Sequence, residues 1–207
     1  MGKKANPIGI RLSLTSNWED SVFFMSKDYS EYLNVSYKLK TYLINRYKKH
    51  GLIKVSVKQD KYYYKIVLET DDTISFLHAI KHRVNDLNIM LKRLFWSDIK
   101  VFVKQIDNPA YHPLVIAYRL INETSDITMM TNVKQISKSL VGTSIAGLKV
   151  RYSGRINRTD VAQTVWHIEG RMPLQTFSAN ILYTNVNVRT NYGICSIKVW
   201  IYINNLR

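Results

Sequence analysis

The fold of the first half of this chain is decided by residues 53–68, which read IKVSVKQDKYYYKIVL. Apolar residues stand at 53, 55 and 57 and again at 62, 64, 66 and 68, and most of the positions between them are polar. A period of two is typical of strands that bury one face. The stretch therefore predicts two consecutive strands joined by a short polar turn.

Helical patterns flank these two strands. Residues 27–50 carry apolar side chains on one helical face, and Gly51 follows as a residue that commonly ends helices. Downstream, Asp71-Asp72-Thr73 can cap a helix, and apolar residues then recur at helical spacing from Ile74 to Leu94. Residues 99–106 return to a strand pattern. The predicted order is helix, strand, strand, helical stretch, strand.

The second half begins after a boundary signal at Asp107-Asn108-Pro109. We expect helices at about 112–122 and 125–141, then strands near 147–154, 160–168, 175–190 and 194–203. Helices followed by a mainly antiparallel sheet give an α+β fold. The predicted organisation is a basic amino-terminal arm (1–17), a first domain (18–106) and a second domain (107–207). Composition leaves open whether the arm is a frayed terminus or an RNA-threading tail.

The charge of the chain points to a polyanionic partner. Thirty Lys and Arg residues face fifteen Asp and Glu, a net charge of +15. Nucleic acid is the commonest such partner, and an anionic membrane surface is the second candidate. The first 106 residues carry 19 of the basic residues and the remainder carry 11, so both halves are expected to touch the polyanion.

Catalytic and cofactor motifs are weak. Cys195 is the only cysteine and lies in a strand-like run, where we expect a buried small hydrophobe. His78 and His82 have metal-compatible spacing, but no further ligand completes the pair. Glycine-rich phosphate loops, nucleophile elbows, signal peptides and long apolar spans are not found. We therefore expect no enzyme activity, cofactor, bound metal, small-molecule substrate or membrane insertion.

The clearest binding pattern is basic. In a strand, Lys149 and Arg151 point to the same side, and Arg155 and Arg158 sit in the turn that follows, within reach of phosphates. The alternative interpretation is a solvated strand edge protected by charge. The complete set of predicted RNA-binding residues is Lys3, Lys4, Arg11, Lys149, Arg151, Arg155, Arg158, Arg171 and Arg189.

Three motifs carry a family resemblance. The chain opens MGKKANPIGIRL at residues 1–12, reads SGRINR at 153–158 and WHIEGRMPLQT at 166–176, and closes with TNYGI at 190–194 and IKVWI at 197–201. In this order they resemble the small-subunit ribosomal protein S-three family of bacterial and organellar type. The likeness spans nearly the whole chain and is weakest over 70–146.

That resemblance implies a type II KH fold for the first domain, with the order helix, strand, strand, helix, helix, strand. It also implies a structural constituent of the small-subunit head, near the channel through which mRNA enters. The implied partners are small-subunit rRNA, mRNA and neighbouring head proteins. The runner-up hypothesis is a free-standing regulatory RNA-binding protein on a KH scaffold.

Two departures from the family pattern affect these expectations. A KH domain clamps nucleic acid with a Gly-x-x-Gly loop, whereas residues 74–83 contain no glycine. We expect this region to be continuous helix, with Ile74, Leu77, Ile80 and Val84 packed on the sheet, so that the clamp is lost. The family's Arg-rich helix is reduced to Lys134 and Lys138 near 129–138, which puts an mRNA-unwinding role in doubt.

The composition also suggests an origin. The chain holds 22 Ile, 16 Asn and 14 Tyr, residues with A- and T-rich codons. Together with the lack of a recognisable presequence, this predicts an organelle-encoded protein of the mitochondrion. A plastid or an AT-rich bacterium is the alternative.

Overall fold

In a computed structural model, the chain folds into two compact units. One, the KH-like unit, comprises residues 18–109, and the other, the carboxy-terminal unit, comprises residues 1–17 together with 110–207. The structure describes residues 4–15, 18, 26–47, 50–59, 63–80, 84–95, 98–106, 108–123, 129–141, 145–155, 160–191 and 193–203.

The KH-like unit places three helices on one face of a three-stranded sheet. Its elements are α1 (Ser26–Tyr47), β1 (Leu52–Gln59), β2 (Tyr64–Thr70), α2 (Thr73–Ala79), α3 (Val84–Phe95) and β3 (Ile99–Gln105). Strand β2 is central, antiparallel to β1 and parallel to β3. This confirms the predicted order and resolves the helical stretch into two helices. The core lies between the helices and one sheet face.

Helix α2 corrects the expectation of a continuous helix over 74–83. The Asp72 carboxylate accepts a hydrogen bond from the Ile74 N–H and caps the helix, and α2 ends at Ala79. The side of this segment that packs in the core carries Phe76 and Ile80, four residues apart. Ile74, which we expected in the core, is 66% exposed.

The carboxy-terminal unit packs two helices against one face of a four-stranded antiparallel sheet. Its elements are α4 (Pro113–Glu123), α5 (Met129–Leu140), β4 (Ile145–Gly154), β5 (Gln163–Gly170), β6 (Ile181–Thr190) and β7 (Gly193–Ile203). The strand order is β5-β4-β7-β6, and every neighbouring pair is antiparallel. The α+β prediction is confirmed. Cys195 is buried, as expected.

The amino-terminal arm belongs to the carboxy-terminal unit. A short 3-10 helix at Gly9–Arg11 brings Arg11 against the loop between β5 and β6. There the side chain donates hydrogen bonds to the carbonyls of Leu174, Thr176 and Ala179. These carbonyls accept hydrogen bonds from an arginine instead of from the N–H groups of a neighbouring strand. Consequently β6 begins at Ile181, six residues later than the sequence pattern predicted.

Candidate nucleic-acid interface

The sheet of the carboxy-terminal unit has an open face, the face opposite α4 and α5. Because directly paired residues in antiparallel strands point to the same side, the register defines this face. Lys149 lies between Ile168 on β5 and Trp200 on β7, and Arg151 lies between Trp166 and Lys198. On β6, Tyr183 pairs with Trp200. Neighbouring strands thus bring basic and aromatic side chains together.

Lys149 lies at the centre of this group. Its Nζ is 5.4 Å from the ring centroid of Trp200 and 6.0 Å from that of Trp166. Trp200 in turn packs against Tyr183, with ring centroids 5.2 Å apart. Burial lowers the pKa of the Lys149 ammonium, and the positive charges of Lys4 and Arg151 lower it further. Three cations therefore repel one another here, and a polyanion would relieve that repulsion.

The arm contributes the third cation. Lys4 lines a cavity of about 430 Å³ on this face, together with Lys149, Arg151, Thr164, Trp166 and Ile168. Trp166 is 61% exposed. The buried Nε atom of Arg151 has no hydrogen-bond partner among the described residues. A buried donor without an acceptor costs about 1–3 kcal/mol, so a guanidinium turned toward a phosphate would remove that cost.

Arg11 has a structural role in place of the predicted RNA contact. Its side chain is 1% exposed, and its guanidinium donates to backbone carbonyls at Pro7, Leu174, Thr176 and Ala179 over 2.9–3.0 Å. Burial lowers the pKa of this group. The structure therefore leaves Arg11 without a surface for phosphate, and assigns it the attachment of the arm that carries Lys4.

The other predicted residues lie apart from this group or outside the described residues. Arg189 is exposed on the open face, two rows along the sheet from Arg151. Arg155 follows β4 and lies 3.5 Å from the Asp160 carboxylate. Arg171 is exposed just after β5. Lys3 and Arg158 lie outside the described residues.

Two glycines, one on β4 and one on β5, lie where the backbone approaches closely. Gly170 has φ +71°, and a Cβ on it would lie 2.4 Å from the Ala146 carbonyl oxygen. A Cβ on Gly147 would lie 1.9 Å from the Arg171 carbonyl oxygen. Strands β4 and β5 therefore meet closely at this end only because both residues lack side chains. The Trp-His-Ile-Glu-Gly-Arg run thus sets the position of β5 beside Lys149.

Sequence reasoning missed two tryptophans and one lysine of the open face. Trp166, Trp200 and Lys198 were not among the predicted site residues, yet the register places all three beside Lys149 or Arg151. Their alternation along each strand was readable. The order β5-β4-β7-β6, which puts β7 beside β4, was not readable from spacing alone.

Comparison with known proteins gives the family. A sequence model described as "Ribosomal protein S3, C-terminal domain" matches residues 121–201. A "Small ribosomal subunit protein uS3" of Sulfurihydrogenibium sp. (strain YO3AOP1) is 30% identical over 206 residues, which cover 98% of this chain and 90% of that protein. The chain belongs to the uS3 family.

Other uS3 relatives cover the chain equally fully. The uS3 of a Wolbachia sp. of Brugia malayi is 29% identical over 99% of this chain and 100% of the relative. The protein named uS3c of Guillardia theta is 27% identical over 98% of this chain and 95% of the relative. The resemblance to the S-three family is thereby confirmed. These uS3 relatives are bacterial and of plastid type.

Within the described residues, no group of three or more His, Cys, Asp or Glu side chains is arranged to hold a metal ion. The described helices also include none that is long and apolar enough to cross a membrane.

Proposed function

We propose that this chain is a structural component of the small ribosomal subunit and binds small-subunit rRNA through the open face of its carboxy-terminal unit. It performs no chemical reaction of its own. It lies in the subunit head beside the channel through which mRNA enters, in contact with neighbouring head proteins. The uS3 names of its relatives support the small-subunit assignment, and the family resemblance implies the position in the head.

One observation carries the RNA-binding proposal. Lys4, Lys149 and Arg151 share a cavity on a sheet face whose neighbouring rings are Trp166 and Trp200. Lysine and arginine neutralise phosphates, and exposed rings stack on unpaired bases. Cation–π contacts with the rings stabilise Lys149 by themselves, but the repulsion among Lys4, Lys149 and Arg151 is relieved only when an anion binds.

The remaining predicted cations supply the periphery of the interface. Arg155, Arg171 and Arg189 contact phosphates around the central group, and Lys3 and Arg158 extend these contacts. The proposed function does not include mRNA unwinding, because Lys134 and Lys138 are the only basic residues among the described side chains of α5. The proposed compartment is the mitochondrion, with a plastid or an AT-rich bacterium as the alternative.

Sedimentation tests the function. The chain is expected to co-sediment stoichiometrically with small ribosomal subunits at low salt and to dissociate at high salt, because counterions compete with phosphate contacts. Finding most of the protein in soluble fractions free of ribosomes at low salt would overturn the proposal. That result would favour a free-standing regulatory RNA-binding protein.

A further inference from the structure

We propose that the outer face of the three-stranded sheet in the KH-like unit is a second RNA-binding surface, which takes single-stranded RNA. This surface, the lysine face, is the side of β1, β2 and β3 opposite the helices α1 to α3. It is distinct from the helix-loop-helix region where a KH domain places its Gly-x-x-Gly clamp. Its residues are Lys54, Ser56, Lys58, Lys65, Val67, Glu69, Lys100, Phe102 and Lys104.

The register places three lysines directly side by side. Lys58 on β1 pairs with Lys65 on β2, and Lys65 pairs with Lys100 on β3. All three are exposed. Adjacent strands are about 4.8 Å apart, and like charges directly opposite one another destabilise a sheet. Without RNA, repulsion among these three lysines destabilises the sheet. Bound phosphates would remove that repulsion.

Protection of a sheet edge does not explain the row. Edge lysines discourage pairing with other chains, but Lys65 lies on β2, the central strand, which already has a neighbour on each side. A second pair of lysines, Lys54 and Lys104, flanks Glu69 four residues farther along the strands. Glu69 is the one acidic residue among the described strand positions of this face.

Aromatic rings lie among these lysines. Phe102 stands at the middle of β3, beside Val67, and is 46% exposed. The Lys65 Nζ is 5.1 Å from its ring centroid, and the Lys100 Nζ is 4.1 Å from the Tyr63 centroid. Tyr63 is half-buried. Ammonium groups beside accessible rings form the combination that binds single strands, since phosphates contact the cations and bases stack on the rings. An acidic protein segment would use the cations but not the stacking surface.

The test uses the full-length chain and an oligouridylate of about 12 nucleotides, within the range that single-strand-binding domains cover. Because the open face of the carboxy-terminal unit is proposed to bind RNA too, binding is read by ultraviolet cross-linking and peptide mass spectrometry, unit by unit. We expect cross-links at Phe102 and Tyr63 that saturate with RNA concentration. Their complete absence would overturn the proposal, whatever the sedimentation result.

Matched variants separate specific contacts from net charge. In K65Q/K100Q, we expect the RNA concentration that half-saturates the Tyr63 cross-link to rise about 10-fold. The slope of log affinity against log salt concentration should become shallower by about 1.4, because two cations no longer displace counterions. K38Q/R93Q removes the same charge from exposed positions on α1 and α3 and is expected to change half-saturation less than about two-fold. Equal effects of the two double variants would overturn the proposal.

Two further measurements check the surface itself. Without RNA, K65Q/K100Q is expected to raise the melting temperature of the KH-like unit, because it removes cross-strand repulsion. Phe102→Ala is expected to weaken RNA binding at Tyr63 about 10-fold by loss of stacking. If polyglutamate displaces RNA equally well and Phe102→Ala has no effect, the surface binds an acidic protein segment and the RNA proposal is wrong.

Discussion

The guanidinium of Arg11 donates to four backbone carbonyls that no strand uses. From sequence, this residue was one basic side chain among several in an irregular arm. Its burial depends on the β5–β6 loop more than 160 residues away along the chain. A charged residue near a terminus can therefore be part of the fold rather than part of the RNA-binding surface.

Arg11→Met retains the length of the side chain but removes its donors. The hydrogen bonds to the Pro7 and Ala179 carbonyls are buried, and a buried carbonyl left unpaired costs about 1–3 kcal/mol. We therefore expect the free energy of unfolding of the carboxy-terminal unit to fall by about 2 kcal/mol or more. Urea unfolding followed by tryptophan fluorescence measures this change. Arg171→Met, at an exposed arginine near the same loop, is the control and is expected to change stability by less than about 0.5 kcal/mol. Equal losses in the two variants would contradict the anchoring role.

Lys149 and Arg151 are expected to contribute phosphate contacts directly. K149Q/R151Q should reduce affinity for small-subunit rRNA at least about 10-fold. The slope of log affinity against log salt concentration should become shallower by about 1.5, because two cations no longer displace counterions. The control is K134Q/K138Q, which removes the same charge from exposed positions on α5, the helix that covers the opposite sheet face. The open face is not the interface if the control variant loses as much affinity.

At the scale of elements, β4 and β5 depend on glycines where they meet. Gly170→Ala would place a Cβ in a left-handed conformation and 2.4 Å from the Ala146 carbonyl oxygen. We expect a loss of at least about 2 kcal/mol in stability and a displaced β5. Gly9→Ala is the control, since a Cβ there meets nothing within 4 Å. Thermal unfolding compares the two variants, and similar melting temperatures would show that the strands can separate at no cost.

The region of α2 and α3 determines how strongly the KH-like unit can select one RNA base over another. Residues 74–83 offer no glycine for close approach of an RNA backbone, and α2 buries Phe76 in the core. We therefore expect oligouridylate and oligoadenylate to cross-link to Tyr63 with half-saturation within about three-fold of each other, because stacking tolerates any base. Strong selectivity abolished by substitutions at 76–79 would show instead that this region still clamps RNA.

On the scale of the whole molecule, the arm and the carboxy-terminal unit form one folding unit although 18–109 separates them in sequence. A fragment of residues 110–207 lacks the Arg11 donors and is expected to melt at a lower temperature than the same unit in the full chain. Adding a peptide of residues 1–17 should restore stability to that fragment by mass action and leave a fragment of residues 18–109 unchanged. Circular dichroism measures both transitions, and an ineffective peptide would contradict this organisation.

Most of the elements could be predicted from sequence because their signals are local. Apolar and polar residues alternate over 53–57 and 62–68, and apolar residues recur at helical spacing over 27–50. Each pattern identifies which side chains of one segment share a face. The motifs identified the family from short stretches of sequence, and the net charge of +15 predicted a polyanionic partner from composition alone. The start of α2 agrees with the predicted cap at Asp72, whereas its end at Ala79 was not predicted. The start of β6 was also wrong, because the loop before it binds the distant Arg11.

Only the tertiary structure decided which cations act together. Lys149 meets Trp200 because β7 lies beside β4, and Lys65 lies between Lys58 and Lys100 because β2 is the central strand of its sheet. Lys149 and Trp200, like Lys65 and Lys100, are far apart along the chain. Their pairing depends on the global packing of strands rather than on the spacing within any one of them. The sequence by itself determined that this protein is basic, α+β and of the uS3 type. The fold determined where that charge could meet RNA, because strand order alone selects the residues that share a face.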